Sequence, residues 1–352
     1  MKMKLLSILG TRPQYVKFQP IIKESDRQHL KHDWIDTGQH YSSELSSEYI
    51  KSLGLPAPIK NLSIGSGSHA AQTSKIMVEV EKFLLQNKYD VVICYGDTNS
   101  TLGAALAASK LNIPIAHVEA GLRSRNDEMP EETNRKIVDH ISTLLFAPTQ
   151  IGLNNLINEG IATGMNSGDV MLDSLMYRSS LVETNNSNEK DYALCTIHRA
   201  ENTDNRERLK QIFSSLNSLG MPVVIPAHPR LQKQIDVFEI KYNEEFIELT
   251  SPMNHNEMIN KMINAKCVIT DSGGLQKEAY MLKKLCITIR KETEWPETLE
   301  YGWNIINPGV SGLREQISRE VPLIQGNYFG DGNASRKIID SIVNYLNSNL
   351  QS

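Results

Sequence analysis

The chain has 352 residues, 40% of them apolar and 22% charged, the composition of an ordinary globular protein of about two domains. Thirty-seven basic against 41 acidic residues leave a net charge of −4, which excludes a generic attraction to nucleic acid or to an anionic membrane surface. Any phosphate site must therefore be local. Cys94, Cys195, Cys267 and Cys286 lie in apolar runs without zinc-like spacing and read as buried reduced thiols. No stretch reaches membrane-span length. The apolar start is too short for a signal peptide and runs straight into Thr11-Arg12-Pro13, so a cytoplasmic location is expected.

Lys4 to Leu9 reads as a first strand. Gly10-Thr11-Arg12-Pro13 follows, with a helix starting near Pro13, where proline suits the first turn. A glycine turn opening a helix is an anion site, and Arg12 and Lys17 add mobile positive charge. The turn lacks the GxGxxG fingerprint of dinucleotide sites. Trp34 to Asp36 is a second strand, ending in Thr37-Gly38-Gln39-His40, where a lone His40 reads as structural. Gly65-Ser66-Gly67-Ser68 precedes an amphipathic helix over about residues 69–86.

The most informative stretch is next. Val91 to Tyr95 is a short apolar run typical of a strand buried on both faces. Gly96 ends it, and Asp97 sits where the chain leaves it. Thr98, Asn99 or Ser100 caps an Ala-rich helix over about 101–110. Ile115 to Val118 is the following strand, and Glu119 falls at its end. A right-handed crossover places both carboxylates at the carboxyl edge of one parallel sheet, where ligands bind in open α/β folds. Two acidic side chains ending neighbouring strands point to acid/base chemistry, although each would also suit a helix cap. A charged loop then opens a helix at Pro130. Glu131 lies in its first turn, a position the helix dipole favours in any case.

Leu144 to Ala147 is a further strand, and the composition changes near residues 164–168. A helix opens around Asp169 to Asp173, and Thr184 to Lys190 reads as a polar loop. The second half repeats the strand–helix rhythm, with strands near residues 194–196, 223–225, 246–249, 267–270, 286–289 and 304–306. Alternation twice over predicts two doubly wound α/β domains. His198 and Arg199 end one of these strands. Thr270-Asp271-Ser272-Gly273-Gly274 ends another and opens a helix, so that bare N–H groups and the Ser272 hydroxyl suit a phosphate. Glu278, one turn further, suits the paired hydroxyls of a ribose. A glycine-rich helix start with a solvated glutamate is the plainer alternative.

Together these residues resemble the non-hydrolysing bacterial UDP-N-acetylglucosamine 2-epimerases over nearly the whole chain. The resemblance rests on Gly10 to Pro13 with Lys17, Thr37 to His40, Gly96-Asp97-Thr98, His117 to Arg123 and Pro130-Glu131-Glu132 with Asn134-Arg135. It continues through His198-Arg199, Thr270 to Gly274 with Glu278, Thr293-Glu294, and Tyr328 to Gly332. Each motif is weak alone; their order and spacing are specific. The resemblance implies a GT-B-like α/β fold, two Rossmann-like domains over residues 1–166 and 167–333 with a cleft between them. The second would bind UDP. The last helix, about residues 334–352, would pack back on the first domain. It also implies a homodimer with a UDP-sugar substrate, no cofactor and no metal.

The implied reaction inverts C2 of a UDP-N-acetylhexosamine by eliminating UDP to a 2-acetamidoglycal and adding it back. Such chemistry needs carboxylates to move the C2 proton, and cations and N–H groups to hold the departing diphosphate. Asp97, Glu119 and Glu131 are the acid/base candidates, and which of them removes the proton stays open. His198 is counted with them as a ligand of the leaving diphosphate. Arg12, Lys17, Ser272, Gly273 and Gly274 are the other diphosphate ligands. Arg199 and Met258 complete the substrate-binding set, and Glu278 would hold the ribose.

Three departures bear on the substrate. The common Arg-Pro-Glu is Trp295-Pro296-Glu297 here, so an arginine that contacts the nucleotide sugar is replaced. The loop from Glu119 to Glu131 is short. Tyr41-Ser42 follow His40 where members with an allosteric second substrate site carry another glutamine, which implies that this chain lacks that site. The first two features resemble relatives acting on UDP-2,3-diacetamido-2,3-dideoxy-glucuronate or a 6-deoxy UDP-N-acetylhexosamine. UDP-GlcNAc remains the first expectation. The competing readings are a hydrolysing epimerase, a GT-B glycosyltransferase and a non-catalytic sugar-nucleotide sensor. A transferase needs an acceptor site, and a sensor has no use for three carboxylates.

Overall fold

The computed structural model describes residues 3–39, 43–179 and 191–350. The chain divides into two compact units, Met1–Ser174 with Tyr328–Ser352, and Leu175–Asn327. The first is built on strands β1 (Lys4–Leu9), β2 (Lys31–Asp36), β3 (Lys60–Asn61), β4 (Val91–Tyr95), β5 (Ile115–Val118), β6 (Leu144–Ala147) and β7 (Gly164–Asn166). All pair in parallel, in the order β3-β2-β1-β4-β5-β6-β7. Helices α1 (Arg12–Arg27), α2 (Ser43–Ser52), α3 (His69–Gln86), α4 (Asn99–Lys110), α5 (Pro130–Ile141) and α6 (Gln150–Asn158) connect them.

The central strands are apolar throughout because both of their faces are covered. Leu6, Ile8, Val92 and Cys94 point one way, into a core with Ile76 and Val80 of α3 and Ala104 and Ala108 of α4. Small side chains on α4 let it lie close to the sheet. Residues of the opposite parity point the other way, where Phe18 of α1 packs among the rings of His32, Trp34 and Tyr95.

The second unit repeats the plan with β8 (Ala193–Thr196), β9 (Val223–Pro226), β10 (Ile247–Thr250), β11 (Cys267–Thr270), β12 (Leu285–Thr288) and β13 (Asn304–Ile306), ordered β10-β9-β8-β11-β12-β13. Its helices are α8 (Ala200–Thr203), α9 (Arg206–Asn217), α10 (Pro229–Phe238), α11 (His255–Asn264), α12 (Gly273–Met281) and α13 (Leu313–Ile317). The chain enters this unit within α7 (Val170–Ser179) and leaves it before α14 (Ala334–Leu350). Within the first unit, Asp173 of α7 accepts from the N–H groups of Ala334 (3.1 Å) and Ser335 (2.7 Å) and so anchors the start of α14. Further along, Asp340 of α14 accepts from Gln28 Nε2 at the end of α1 (2.7 Å).

Counted within each unit, both sheets follow the order 3-2-1-4-5-6, the first with one extra edge strand. In this order the connections reverse direction between the first and fourth strands, which opens a ligand crevice at their carboxyl ends. The reversal lies between β1 and β4 in one unit and between β8 and β11 in the other. Among the described residues, no helix is long and apolar enough to cross a membrane. The four cysteines are buried and unpaired with one another.

Gly10 closes the turn after β1 because no side chain fits there. A Cβ would stand 2.0 Å from Thr37 Oγ1 and 2.3 Å from Ser100 Oγ. Gly10→Ala should therefore cost ~1–3 kcal/mol through forced displacement of both hydroxyls. Chemical denaturation should show the loss; unchanged stability would mean that the turn repacks freely.

Candidate active site

In the first unit, the turns after β1 and β4 are tied together by Gln14 on α1. Its Oε1 accepts from the N–H groups of Gly10 (2.8 Å) and Thr11 (3.1 Å). Its Nε2 donates to the Tyr95 carbonyl (2.8 Å) and to Thr98 Oγ1 (3.0 Å). No sequence signal marks a glutamine on a first helical turn as this kind of brace. Thr98 supplies the α4 cap, accepting from Thr101 N–H at 3.3 Å, and the helix begins at Asn99, two residues before its expected start. Asp97 is thus not the capping residue.

The Asp97 carboxylate instead forms an ion pair with Arg135 of α5. Arg135 also binds Glu132 Oε2 at 2.9 Å, and its neighbour Asn134 donates to the Asp97 carbonyl at 2.8 Å. Burial works against the Arg135 charge, but Asp97, Glu132 and Glu119 outweigh it and hold the guanidinium above its ordinary pKa.

Glu119 leaves β5 with φ +72°, a left-handed conformation that a residue with a Cβ adopts at a cost of ~1–3 kcal/mol. Two bonds to one carbonyl hold it there: Glu119 and Ala120 both donate to Phe146 O, at 3.1 and 3.0 Å. The resulting turn directs the carboxylate to an ion pair with Lys17 of α1. Gly96 makes room for this pair, because a Cβ on it would lie 3.3 Å from Glu119 Oε2 and 3.5 Å from Lys17 Nζ. Glu131, half-buried in the first turn of α5, lies four residues before Arg135 on the same helix face. Lys17, Asp97 and Glu119 therefore gather around Gly96, with α5 bringing Arg135 to the group. Arg12, exposed at the start of α1, lies 5.4 Å from the centroid of the Tyr49 ring.

In the second unit, Asp271 is the organising residue. It is fully buried after β11 and accepts from the N–H groups of His198 (3.1 Å) and Arg199 (3.0 Å) and from Asn202 Nδ2 (3.1 Å). His198 Nδ1 lies 3.1 Å from the same carboxylate. Burial alone would raise its pKa, but these bonds and the His198 charge hold it below the usual range. The imidazole is left with Nε2 free of this bond and its side chain 41% exposed, at the carboxyl end of β8.

Ser272 caps α12, accepting from Leu275 N–H at 3.4 Å. Gly273 permits a close approach, since a Cβ there would stand 3.0 Å from Glu294 Oε2. Glu294 is gripped by Arg290 through two bonds of 2.8 and 3.0 Å and lies 3.5 Å from Arg199. Burial raises and Arg290 lowers its pKa, with the net below the usual value. Glu278, buried on α12, has His255 Nε2 at 3.9 Å. Burial, reinforced by Arg178, lowers the His255 pKa to about 3, so that ring is neutral. His198, His228, Met253, Met258, Ser272 and Leu275 help to line a cavity of about 170 Å³ beside the β8–β11 reversal. The structure thus brings together three of the expected substrate ligands, His198, Met258 and Ser272, in one pocket with a largely apolar wall.

Trp295, which replaces the common arginine, is buried, and its ring centroid is 4.1 Å from Lys277 Nζ. It packs against a buried lysine as a structural residue. Among the described residues, no three His, Cys, Asp or Glu side chains form a metal-binding group. Of the Thr37 to Ser42 stretch, Gln39 accepts from Ser100 N–H at 3.0 Å, whereas His40, Tyr41 and Ser42 lie outside the described residues, as does the stretch from Thr184 to Lys190.

Two parallel sheets of the same strand order, one edged with carboxylates and the other with a glycine-opened helix, define a GT-B-like α/β protein. The chain belongs to the UDP-N-acetylglucosamine 2-epimerase family, whose model matches residues 23–343. It is 46% identical to a UDP-N-acetylglucosamine 2-epimerase homolog of Methanococcus maripaludis, over 97% of this chain and all of that one. It is 40% identical to the UDP-2,3-diacetamido-2,3-dideoxy-D-glucuronate 2-epimerase of Pseudomonas aeruginosa, over 96% of this chain and 99% of that one. Its fold is similar to the crystal structure of Methanocaldococcus jannaschii UDP-GlcNAc 2-epimerase in complex with UDP-GlcNAc and UDP. The TM-score is 0.84 at 40% identity, over 97% of this chain and 99% of that one.

Proposed function

We propose that this protein epimerises C2 of a UDP-N-acetylhexosamine, with UDP-GlcNAc and UDP-ManNAc as its substrate pair, to supply cell-surface polysaccharide precursors. The observation that carries the reading is the grouping of Asp97, Glu119 and Lys17 around Gly96, beside the α5 face of Glu131 and Arg135. A carboxylate at this edge takes the C2 proton. The C2–H electrons form the C1=C2 bond of a 2-acetamidoglycal, and the C1–O electrons leave with UDP. Protonation of C2 on the opposite face and re-addition of the UDP oxygen to C1 complete the inversion. Lys17 and Arg135, each paired with a carboxylate, help set which carboxyl group holds a proton.

In the second unit, Ser272, Gly273 and Gly274 with the α12 N-terminus, His198 and Arg199 take the diphosphate, whose negative charge grows as C1–O breaks. The cavity beside Met258 takes the base, and Glu278 takes the ribose hydroxyls. Arg12 is a further diphosphate ligand. No cofactor is called for, since the substrate supplies its own leaving group. The protein works as a homodimer in the cytoplasm; sedimentation in the presence and absence of UDP tests the dimer.

A second substrate, UDP-2,3-diacetamido-2,3-dideoxy-glucuronate, is supported by the 40% identical Pseudomonas aeruginosa relative. One NMR time course in D2O separates these readings. Deuterium entering C2 while UDP-ManNAc forms and the nucleotide stays attached supports the main proposal. Free UDP with ManNAc means hydrolysis. No exchange with UDP-GlcNAc, but exchange with the diacetamido-uronate or a 6-deoxy nucleotide, moves the assignment to that sugar. No exchange with any of them favours a transferase or a sensor.

A further inference from the structure

His117, in the middle of β5, is fully buried, and both of its ring nitrogens are engaged. Nδ1 lies 2.7 Å from Asp139 Oδ1, and Nε2 lies 2.7 Å from the Gly96 carbonyl oxygen. A carbonyl only accepts, so Nε2 carries the hydrogen of that bond. Asp139, on α5, is 1% exposed. Its Oδ2 accepts from Gly121 N–H at 3.1 Å and from Arg123 Nη1 at 2.7 Å. Burial alone would raise the Asp139 pKa, but the His117 bond and the Arg123 charge keep it below the usual range.

Each arm of this network ends beside a proposed reacting group. Gly96 immediately precedes Asp97. Gly121 closes the turn that begins at the left-handed Glu119. Asp139 lies on the helix that carries Glu131 and Arg135. A buried histidine–carboxylate–arginine set costs desolvation that an apolar residue on β5 would avoid. Stability alone is therefore a poor reason for it. We propose that His117 is a positioning residue, holding the Asp97 turn through Gly96 and holding α5 and the Glu119–Gly121 turn through Asp139, so that the three carboxylates keep one geometry. This rests on the epimerase reading above.

Two isosteric substitutions divide the roles. His117→Gln places an amide N–H near the Nε2 position and can keep the Gly96 bond; His117→Asn places one near Nδ1, keeps Asp139 and frees the Gly96 carbonyl. Both should bind UDP as the unaltered protein does. The Asn variant should lose about 10²-fold in kcat with little change in KM, the order expected when a reacting group is displaced by about 1 Å, and the Gln variant should recover much of that loss. Equal kcat in a folded Asn variant would overturn the proposal. So would an equal loss in both variants that tracks only their thermal stability. In the unaltered protein, histidine-selective nitrogen NMR should show a hydrogen on His117 Nε2, and a bare Nε2 would overturn the proposal even if neither variant folds. If the unaltered protein shows no C2 exchange, it is the epimerase reading that has failed.

Discussion

Glu119→Gln should abolish most turnover, with kcat falling ~10²- to 10⁴-fold, the usual worth of a positioned acid or base. The substitution keeps the shape of the side chain and the left-handed backbone, so it isolates the charge. It also removes the Lys17 ion pair, whose side chains are only 12% and 9% exposed, and leaves the lysine charge largely buried without that partner, so a stability loss of ~3 kcal/mol should accompany the loss of turnover. UDP binding should survive, because most of the proposed nucleotide ligands lie in the other unit and Arg12 is left in place. Asp97→Asn and Glu131→Gln should show the same pattern. Stopped-flow or coupled kinetics, with calorimetric UDP titration of each variant, provides the check. Near-normal rates in all three would reject the elimination chemistry. Strain at Glu119 adds a sharper comparison. Glu119→Gly relieves the positive φ, so it should be more stable than Glu119→Ala, which loses the same ion pair but keeps the strain, while both are inactive. A glutamate that served only to shape the turn would give the opposite result, full activity with glycine.

The second large effect is expected at Glu278. Glu278→Ala should weaken UDP binding ~10- to 100-fold, which corresponds to loss of charge-assisted hydrogen bonds worth ~1.5–3 kcal/mol. The carboxylate is buried on α12, three residues beyond the Ser272–Leu275 capping bond, with the neutral His255 ring 3.9 Å away. Glu278→Gln should fall between the two, since an amide still accepts from one ribose hydroxyl. Isothermal titration with UDP decides the matter. Unchanged affinity in the alanine variant, with its fold intact by circular dichroism, would show that the ribose lies elsewhere.

Much of the fold was legible in the sequence because buried parallel strands have a plain signature. Val91 to Tyr95 and Cys267 to Thr270 are short apolar runs bounded by glycine or a capping residue, and both are strands. The edge strands of the first sheet were not legible. Lys60–Asn61 and Gly164–Asn166 are two and three residues long, with neither apolar alternation nor β-branched side chains. They are strands only because a neighbouring strand offers its unpaired N–H and carbonyl groups. The change in composition near residues 164–168 therefore coincides with a last strand of the first sheet. The helix Ser43–Ser52 was also unannounced.

At the candidate site, the ends of strands could be found by counting. Asp97, Glu119, His198 and Ser272 follow directly from strand, turn and helix order, because residue type and position along a strand are one-dimensional information. Gln14 and Asp139 were not singled out, and Arg135 and Asp271 stood inside motifs without a role of their own. Each acts on a residue distant in the chain: Gln14 on Tyr95, Arg135 on Asp97, Asp139 on His117, Asp271 on His198. A side chain of this kind carries no local mark, since glutamine, arginine and aspartate are common on helix surfaces and in turns.

The sequence by itself determined the alternation of strand and helix, the glycines that admit close approach, and the acidic and basic residues available at strand ends, because these depend on local propensity and spacing. Only the tertiary structure decided the strand order, and with it that β1 lies beside β4 and β8 beside β11. It also decided that Glu119 is held at positive φ by the carbonyl of Phe146, and which cation each carboxylate meets. Those outcomes depend on hydrogen bonds and ion pairs between residues tens of positions apart, and such partners are chosen when the sheet assembles.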